Sequence, residues 1–220
     1  MSVKLISYSQ GCGADQETLA TAQDLVAFCA RVSNPANQYN KDTADKLIKY
    51  LIQNKHWSPL EMVSVCLEVT TTRDIARQML RHRSFSFQEF SQRYANPVQD
   101  LNFVVREARL QDTKNRQNSF ETDDEQLIKQ WNQKQEEIID KCKEAYCWAI
   151  ENGIAKEQAR VVLPEGLTES RLYVNGTLRS WIHYIQLRTE CGTQKEHREI
   201  ALQCAKVLAD IFPMIDSLRD

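Results

Sequence analysis

The chain has 220 residues, 42% hydrophobic and 26% charged, which is the composition of an ordinary globular protein long enough to bury one substantial core. Lys+Arg 28 against Asp+Glu 30 gives a formal net charge of −2, so no global field draws it to nucleic acid or to an anionic membrane. No segment reads as a signal or a membrane span, and 7 scattered cysteines without a Cys-x-x-Cys pair fit reduced thiols better than a disulfide framework or a zinc site, all of which suggests a cytoplasmic protein.

Val3 to Tyr8 reads as a short strand ended by Gly11-Cys12-Gly13. From Asp15 a helical pattern places Leu19, Ala22, Val26 and Cys29 on one face, and Ser33-Asn34-Pro35 stops it. A second helix spans about Asp42 to Gln53. In His56-Trp57-Ser58-Pro59 the proline biases Ser58 away from helix, so a turn is expected there. Val63, Val65, Leu67 and Val69 alternate with polar residues and form the clearest strand. A helix starting at Thr72 or Arg73 buries Ile75, Met79 and Leu80 and carries Gln78, Arg81 and His82 on another face.

Residues 98–122 show no period and read as a covering loop or a solvated excursion. Asp123-Asp124-Glu125 opens a long helix with Leu127, Trp131, Ile138, Cys142, Ala145 and Ala149 as its expected core stripe, broken at Asn152-Gly153. A shorter helix follows from Lys156 to Val162, then a strand from Thr168 to Val174. Another helix begins near Thr177 with Leu178, Trp181, Ile182, Ile185 and Leu187 inward. Thr193 and Glu196 have the spacing of a capping box for the last helix. The fold class is α+β, a small mostly antiparallel sheet packed with several long helices, in a single domain over residues 1–220.

The chemistry concentrates in Arg81-His82-Arg83-Ser84-Phe85-Ser86-Phe87-Gln88-Glu89-Phe90-Ser91-Gln92-Arg93-Tyr94. Clustered guanidiniums repel one another unless an anion is near, and each offers a planar fork of donors that fits phosphate. Serine hydroxyls add donors, and Glu89 adds an acceptor that a bare phosphate does not need. A phosphorylated molecule carrying hydroxyls or a base fits that mixture. Two bland explanations compete: a basic helix end complementing the helix dipole, and a surface pair between Glu89 and Arg93.

Arg81-His82-Arg83, seven residues, then Ser91, resembles the signature of the flavin-dependent thymidylate synthases. The His56-Trp57-Ser58-Pro59 element, and Arg160 four residues before Pro164, match further blocks of that family, and the similarity runs from about His56 through the last helix. The resemblance implies a homotetramer whose sites are shared between subunits and bind FAD and deoxyuridine monophosphate (dUMP), with NADPH and 5,10-methylenetetrahydrofolate as co-substrates. By position it assigns Ser58, Arg81, His82, Arg83, Glu89, Arg179 and His183 to the flavin, with His56 a weaker candidate. Thr177 stands where many members place a flavin-binding asparagine, and Gly192 where many have a histidine. Gln78, Arg81, Glu89, Ser91, Gln92, Arg93, Arg160 and Arg188 match nucleotide-binding positions, and no metal is implied.

Uracil C6 must accept a hydride or a nucleophile before C5 can attack a one-carbon unit. An arginine on the pyrimidine O2/N3 edge would stabilise the charge that develops, and this makes Arg188 the catalytic candidate. Cys191 and Ser91 are the tempting nucleophiles, but hydride delivery would make either unnecessary. Two alternatives stay open: a different flavin or nucleotide-phosphate enzyme, and an RNA-binding module using Phe85, Phe87 and Phe90 among basic residues.

Overall fold

The computed structural model describes residues 1–12 and 17–218. In chain order its elements are β1 (Ser2–Tyr8), α1 (Ala22–Ala30), α2 (Ala44–Gln53), β2 (Ser64–Thr72), α3 (Arg73–Met79), β3 (Ser86–Glu89), α4 (Pro97–Asp100), β4 (Arg109–Gln111), β5 (Ser119–Glu121), α5 (Glu125–Glu151), α6 (Lys156–Ala159), β6 (Glu169–Thr177), α7 (Leu178–Arg188) and α8 (Lys195–Ala209). The expected α+β class holds. The main sheet runs β1-β2-β6-β3 with every neighbouring pair antiparallel.

Alternation decides which face of the sheet is covered. Val65, Leu67 and Val69 of β2 are fully buried, as are Leu172 and Val174 of β6, while Arg171, Tyr173 and Asn175 point outward. The inner face packs against α7 and α8 through Trp181, Ile182, Ile185, Ile200, Ala201 and Cys204. Trp181 also donates its indole N–H to the Val65 carbonyl at 3.1 Å, so its polar edge is satisfied inside the core.

The structure corrects several sequence expectations. Helix α1 begins at Ala22, where Thr21 and Asp24 form the capping box; the expected start at Asp15, and Gly13, lie outside the described residues. Part of the serine–aromatic run, Ser86–Glu89, is a strand, with Phe87 paired to Val174 and Glu89 to Leu172. Residues 98–122 hold most of α4 and the β4–β5 hairpin, and Gln135 of α5 pins the approach to that hairpin by bonding both the N–H and the C=O of Arg106 at 2.8 and 2.9 Å. Gln135, Ile139, Tyr146 and Ala149 form the buried side of α5, leaving Leu127, Trp131 and Ile138 of the expected stripe exposed. Leu187 is exposed as well.

Thr193 and Glu196 do not form a capping box. Helix α8 has Gln194 at its N-cap with no side-chain cap, and the Thr193 hydroxyl donates to the Leu187 carbonyl at 3.3 Å. Glu196 turns inward instead, to Arg106 at 3.0 Å and Arg109 at 2.5 Å.

Candidate active site

Strand β2 runs directly into α3 and β6 directly into α7, so the two helices leave the same sheet from neighbouring strands. Between them the chain turns through residues 80–85 into β3. Helix α3 stops at Met79, so Arg81, His82 and Arg83 occupy the following turn and not the helix. Phe85 anchors that turn. It is buried, tilted against Trp181 at 4.5 Å between ring centroids, and occupies the space above Gly176, where a Cβ would lie 2.3 Å from its ring. The backbone of Ser84 is held as well, accepting a hydrogen bond from Ser180 Oγ at 3.3 Å. A turn that leaves a helix at Met79 and is anchored at Ser84 and Phe85 can present its guanidiniums from a rigid base. Phe85 is thereby committed to the core, and Phe87 is packed against it, which takes two of the three phenylalanines out of the aromatic display that an RNA-binding reading requires.

Gln78, His82 and Arg188 come together. Arg188 Nε donates to His82 Nε2 at 3.0 Å. His82 stands edge-on to Tyr184 at 5.0 Å, and the Tyr184 hydroxyl lies 3.2 Å from His197 Nε2. His197 Nδ1 reaches Gln78 Oε1 at 3.0 Å, and Gln78 Nε2 donates to Gln194 Oε1 at 2.8 Å. Burial and then the Arg188 charge push the His82 pKa down, so both imidazoles stay neutral beside the guanidinium; His197 is lowered to about 3 by burial, then by Arg188 and His82. Arg188, Arg81 and Arg83 make no ion pair among the described residues, in contrast to Arg77, Arg93, Arg106 and Arg179. Unneutralised guanidiniums on one turn and one adjoining helix are a fitting donor set for phosphate groups.

A second group surrounds Ser58, which opens a single 3-10 turn, Ser58–Glu61, although Pro59 predicts it to lie outside helix; a proline is tolerated in the first turn, where its missing N–H has no partner to lose. Trp57 meets His183 edge-on at 4.5 Å, and Arg179 pairs with Glu61. Burial, then Arg179, lowers the His183 pKa. Thr177 caps α7, its hydroxyl accepting from the Ser180 N–H at 3.4 Å. Ser58 and His56 are exposed. At Gly192 an added Cβ would meet nothing within 4 Å.

The remaining residues form a third group. Glu89 accepts from Ser170 Oγ at 2.8 Å and lies 3.4 Å from Arg73, so its carboxylate is largely engaged within the fold. Arg93 pairs with Glu157 at 3.0 Å, Ser91 Oγ accepts from the Arg93 N–H at 3.3 Å, and Arg160 follows α6. Gln92 is buried with an unpartnered Nε2. No side-chain hydrogen bond or ion pair among the described residues joins Ser91, Gln92, Arg93 or Arg160 to Gln78, His82 or Arg188. Sequence reasoning missed Tyr184, His197, Gln194 and Glu196; only the four-residue spacing of Tyr184 and Arg188 on one helix could have drawn attention to the first.

Comparison with known proteins bears on the whole chain. Residues 16–214 match the family model described as Thymidylate synthase complementing protein. A probable flavin-dependent thymidylate synthase of Paramecium bursaria Chlorella virus 1 is 48% identical over 220 residues, covering 100% of this chain and 99% of the relative. A flavin-dependent thymidylate synthase of Synechocystis is 48% identical over 216 residues, covering 98% and 97%. The crystal structure of a UMP/dUMP methylase from Streptomyces cacaoi bound with 5-bromo-UMP superposes with a TM-score of 0.81 at 26% identity, covering 99% of this chain and 92% of the other. The fold, the signature turn and these relatives agree, and the chain belongs to the thymidylate synthase complementing protein family.

Proposed function

We propose that this protein is a flavin-dependent thymidylate synthase, a methyltransferase that converts dUMP to dTMP with 5,10-methylenetetrahydrofolate as carbon donor, FAD as hydride carrier and NADPH as reductant. The observation that carries the reading is the Arg188 guanidinium, fixed by His82 and without an ion-pair partner among the described residues. A guanidinium so placed can donate to the O2/N3 edge of a uracil ring and stabilise the negative charge that grows there. Neutral His82 and His197 keep that positive charge from being shared or repelled. Arg81 and Arg83 fit the flavin's phosphates, with Ser58, Thr177, Arg179, His183 and Glu89 in supporting positions. Gln78, Ser91, Gln92, Arg93 and Arg160 serve the nucleotide. When bound, the flavin supplies the hydride to C6, while the protein contributes binding, orientation and electrostatics.

The active form is a homotetramer with sites shared between subunits. Two features support this: among the described residues no side-chain hydrogen bond or ion pair joins the Ser91–Arg93 and Arg160 group to the Arg188 group, and α5 exposes Leu127, Trp131, Ile138 and Trp148. Titration of the purified protein with FAD, followed by a dTMP-formation assay, tests the reading; protein that binds no flavin and forms no dTMP refutes it. Among the described residues no helix is long and apolar enough to cross a membrane.

A further inference from the structure

The hydrogen-bond chain beneath Arg188 has a direction, and one end fixes it. Glu196 is buried and ion-paired to Arg106 and Arg109. Burial opposes its ionisation, but its own backbone N–H, Gln194 and the two arginines hold the carboxyl below its ordinary value. A carboxylate only accepts, so Gln194 must turn its amide Nε2 toward it, at 2.9 Å. That leaves Gln194 Oε1 to accept from Gln78 Nε2 at 2.8 Å, and Gln78 Oε1 then faces His197 Nδ1 at 3.0 Å. An amide oxygen cannot donate, so the proton sits on His197 Nδ1. His197 Nε2 is therefore the acceptor for the Tyr184 hydroxyl at 3.2 Å.

We infer that His197 is a positioning residue for Gln78: its Nδ1–H binds the Gln78 carbonyl and fixes which way the amide faces, so that the amide N–H not given to Gln194 is held in place to donate to a nucleotide oxygen. A glutamine held at one end only could flip and present either group. Here both ends are committed, by His197 and by Gln194, and the buried imidazole is clamped in turn by Tyr184. This rests on the proposal that Gln78 contacts dUMP.

The test uses the full-length, FAD-loaded protein and measures the dUMP dissociation constant. In His197→Asn the side-chain amide nitrogen stands near the position of Nδ1 and keeps the donor; in His197→Gln it reaches toward Nε2 and loses it. H197Q should bind dUMP about three- to tenfold more weakly, the worth of one oriented hydrogen bond, while H197N stays near wild type. Gln78→Ala should weaken binding by a similar factor, and the double variant Q78A/H197Q should be no weaker than Q78A. Equal losses in H197N and H197Q, or additive losses in the double variant, overturn the inference alone. Wild-type affinity in Q78A removes Gln78 from the nucleotide site and takes the inference with it. If the His197 variants do not fold, nitrogen NMR of the wild-type imidazole decides: a proton on Nδ1 supports the inference, and a proton on Nε2 overturns it.

Discussion

Arg188 donates its Nε–H to His82 Nε2 at 3.0 Å, so the histidine of the Arg-His-Arg turn is tied to the helix that follows β6. Because the imidazole nitrogen accepts, His82 must be neutral, with its proton on Nδ1. The signature turn and the catalytic candidate, 106 residues apart in sequence, are therefore one unit.

Stability should depend on pH through His197. The folded protein holds it at about 3, against an ordinary 6.5, so between those values the unfolded chain binds a proton that the folded chain does not. Stability is full above about pH 6.5 and falls as pH drops through that window, by up to about 1.4 kcal/mol per pH unit. His82 and His183, also lowered, act in the same direction. Denaturant titrations at pH 7 and pH 5 should show the loss, and H197N should reduce it. An undiminished loss in that variant would mean other groups carry the effect.

Replacing Gly176 with alanine should destabilise the protein by about 1–3 kcal/mol, because the new methyl must displace the Phe85 ring from Trp181. Thermal unfolding measures this, and FAD binding should weaken with it since Phe85 holds the signature turn. An unchanged melting temperature would show that the ring moves freely.

The exposed stripe of α5 predicts an interface. Trp131→Glu places a charge between Leu127 and Ile138 and should shift the proposed tetramer to smaller species in light scattering, with activity falling in step. A fully tetrameric Trp131→Glu variant would place the interface elsewhere.

No enzyme nucleophile should be needed. Cys191 is exposed at the α7–α8 connection, and the Ser91 hydroxyl is engaged with the Arg93 N–H, with no base at hydrogen-bond distance among the described residues. Both Cys191→Ala and Ser91→Ala should keep measurable turnover, the second with weaker dUMP binding. Abolished turnover at unchanged binding, or a covalent nucleotide adduct on either residue, would sink this expectation.

Much of the fold was legible because local pattern and tertiary environment agree. The alternation of Val63 to Val69 marked β2, and Leu178, Trp181, Ile182 and Ile185 marked the inner side of α7. Strand β3 escaped because four residues carry too little periodicity, and only pairing with β6 makes them a strand. Thr193 and Glu196 misled for the opposite reason. Their spacing is a valid local motif, but Arg109, 87 residues earlier in the chain, competes for the same carboxylate and wins. Leu127, Trp131 and Ile138 read as core since periodicity reports an apolar face and not what covers it. In the site, the guanidiniums announced themselves by density, whereas Tyr184, His197 and Gln194 are single residues whose roles exist only through contacts between α3, α7 and α8.

The most direct test of the central claim is dTMP formation by wild type and Arg188→Ala, each loaded with FAD and supplied with dUMP, methylenetetrahydrofolate and NADPH. Wild type should turn over. The variant should keep its flavin and its fold but lose about 2.7–4 kcal/mol of transition-state stabilisation, roughly a hundred- to a thousandfold in rate. Near-normal turnover by Arg188→Ala would contradict the assignment of that guanidinium to the developing charge on the pyrimidine.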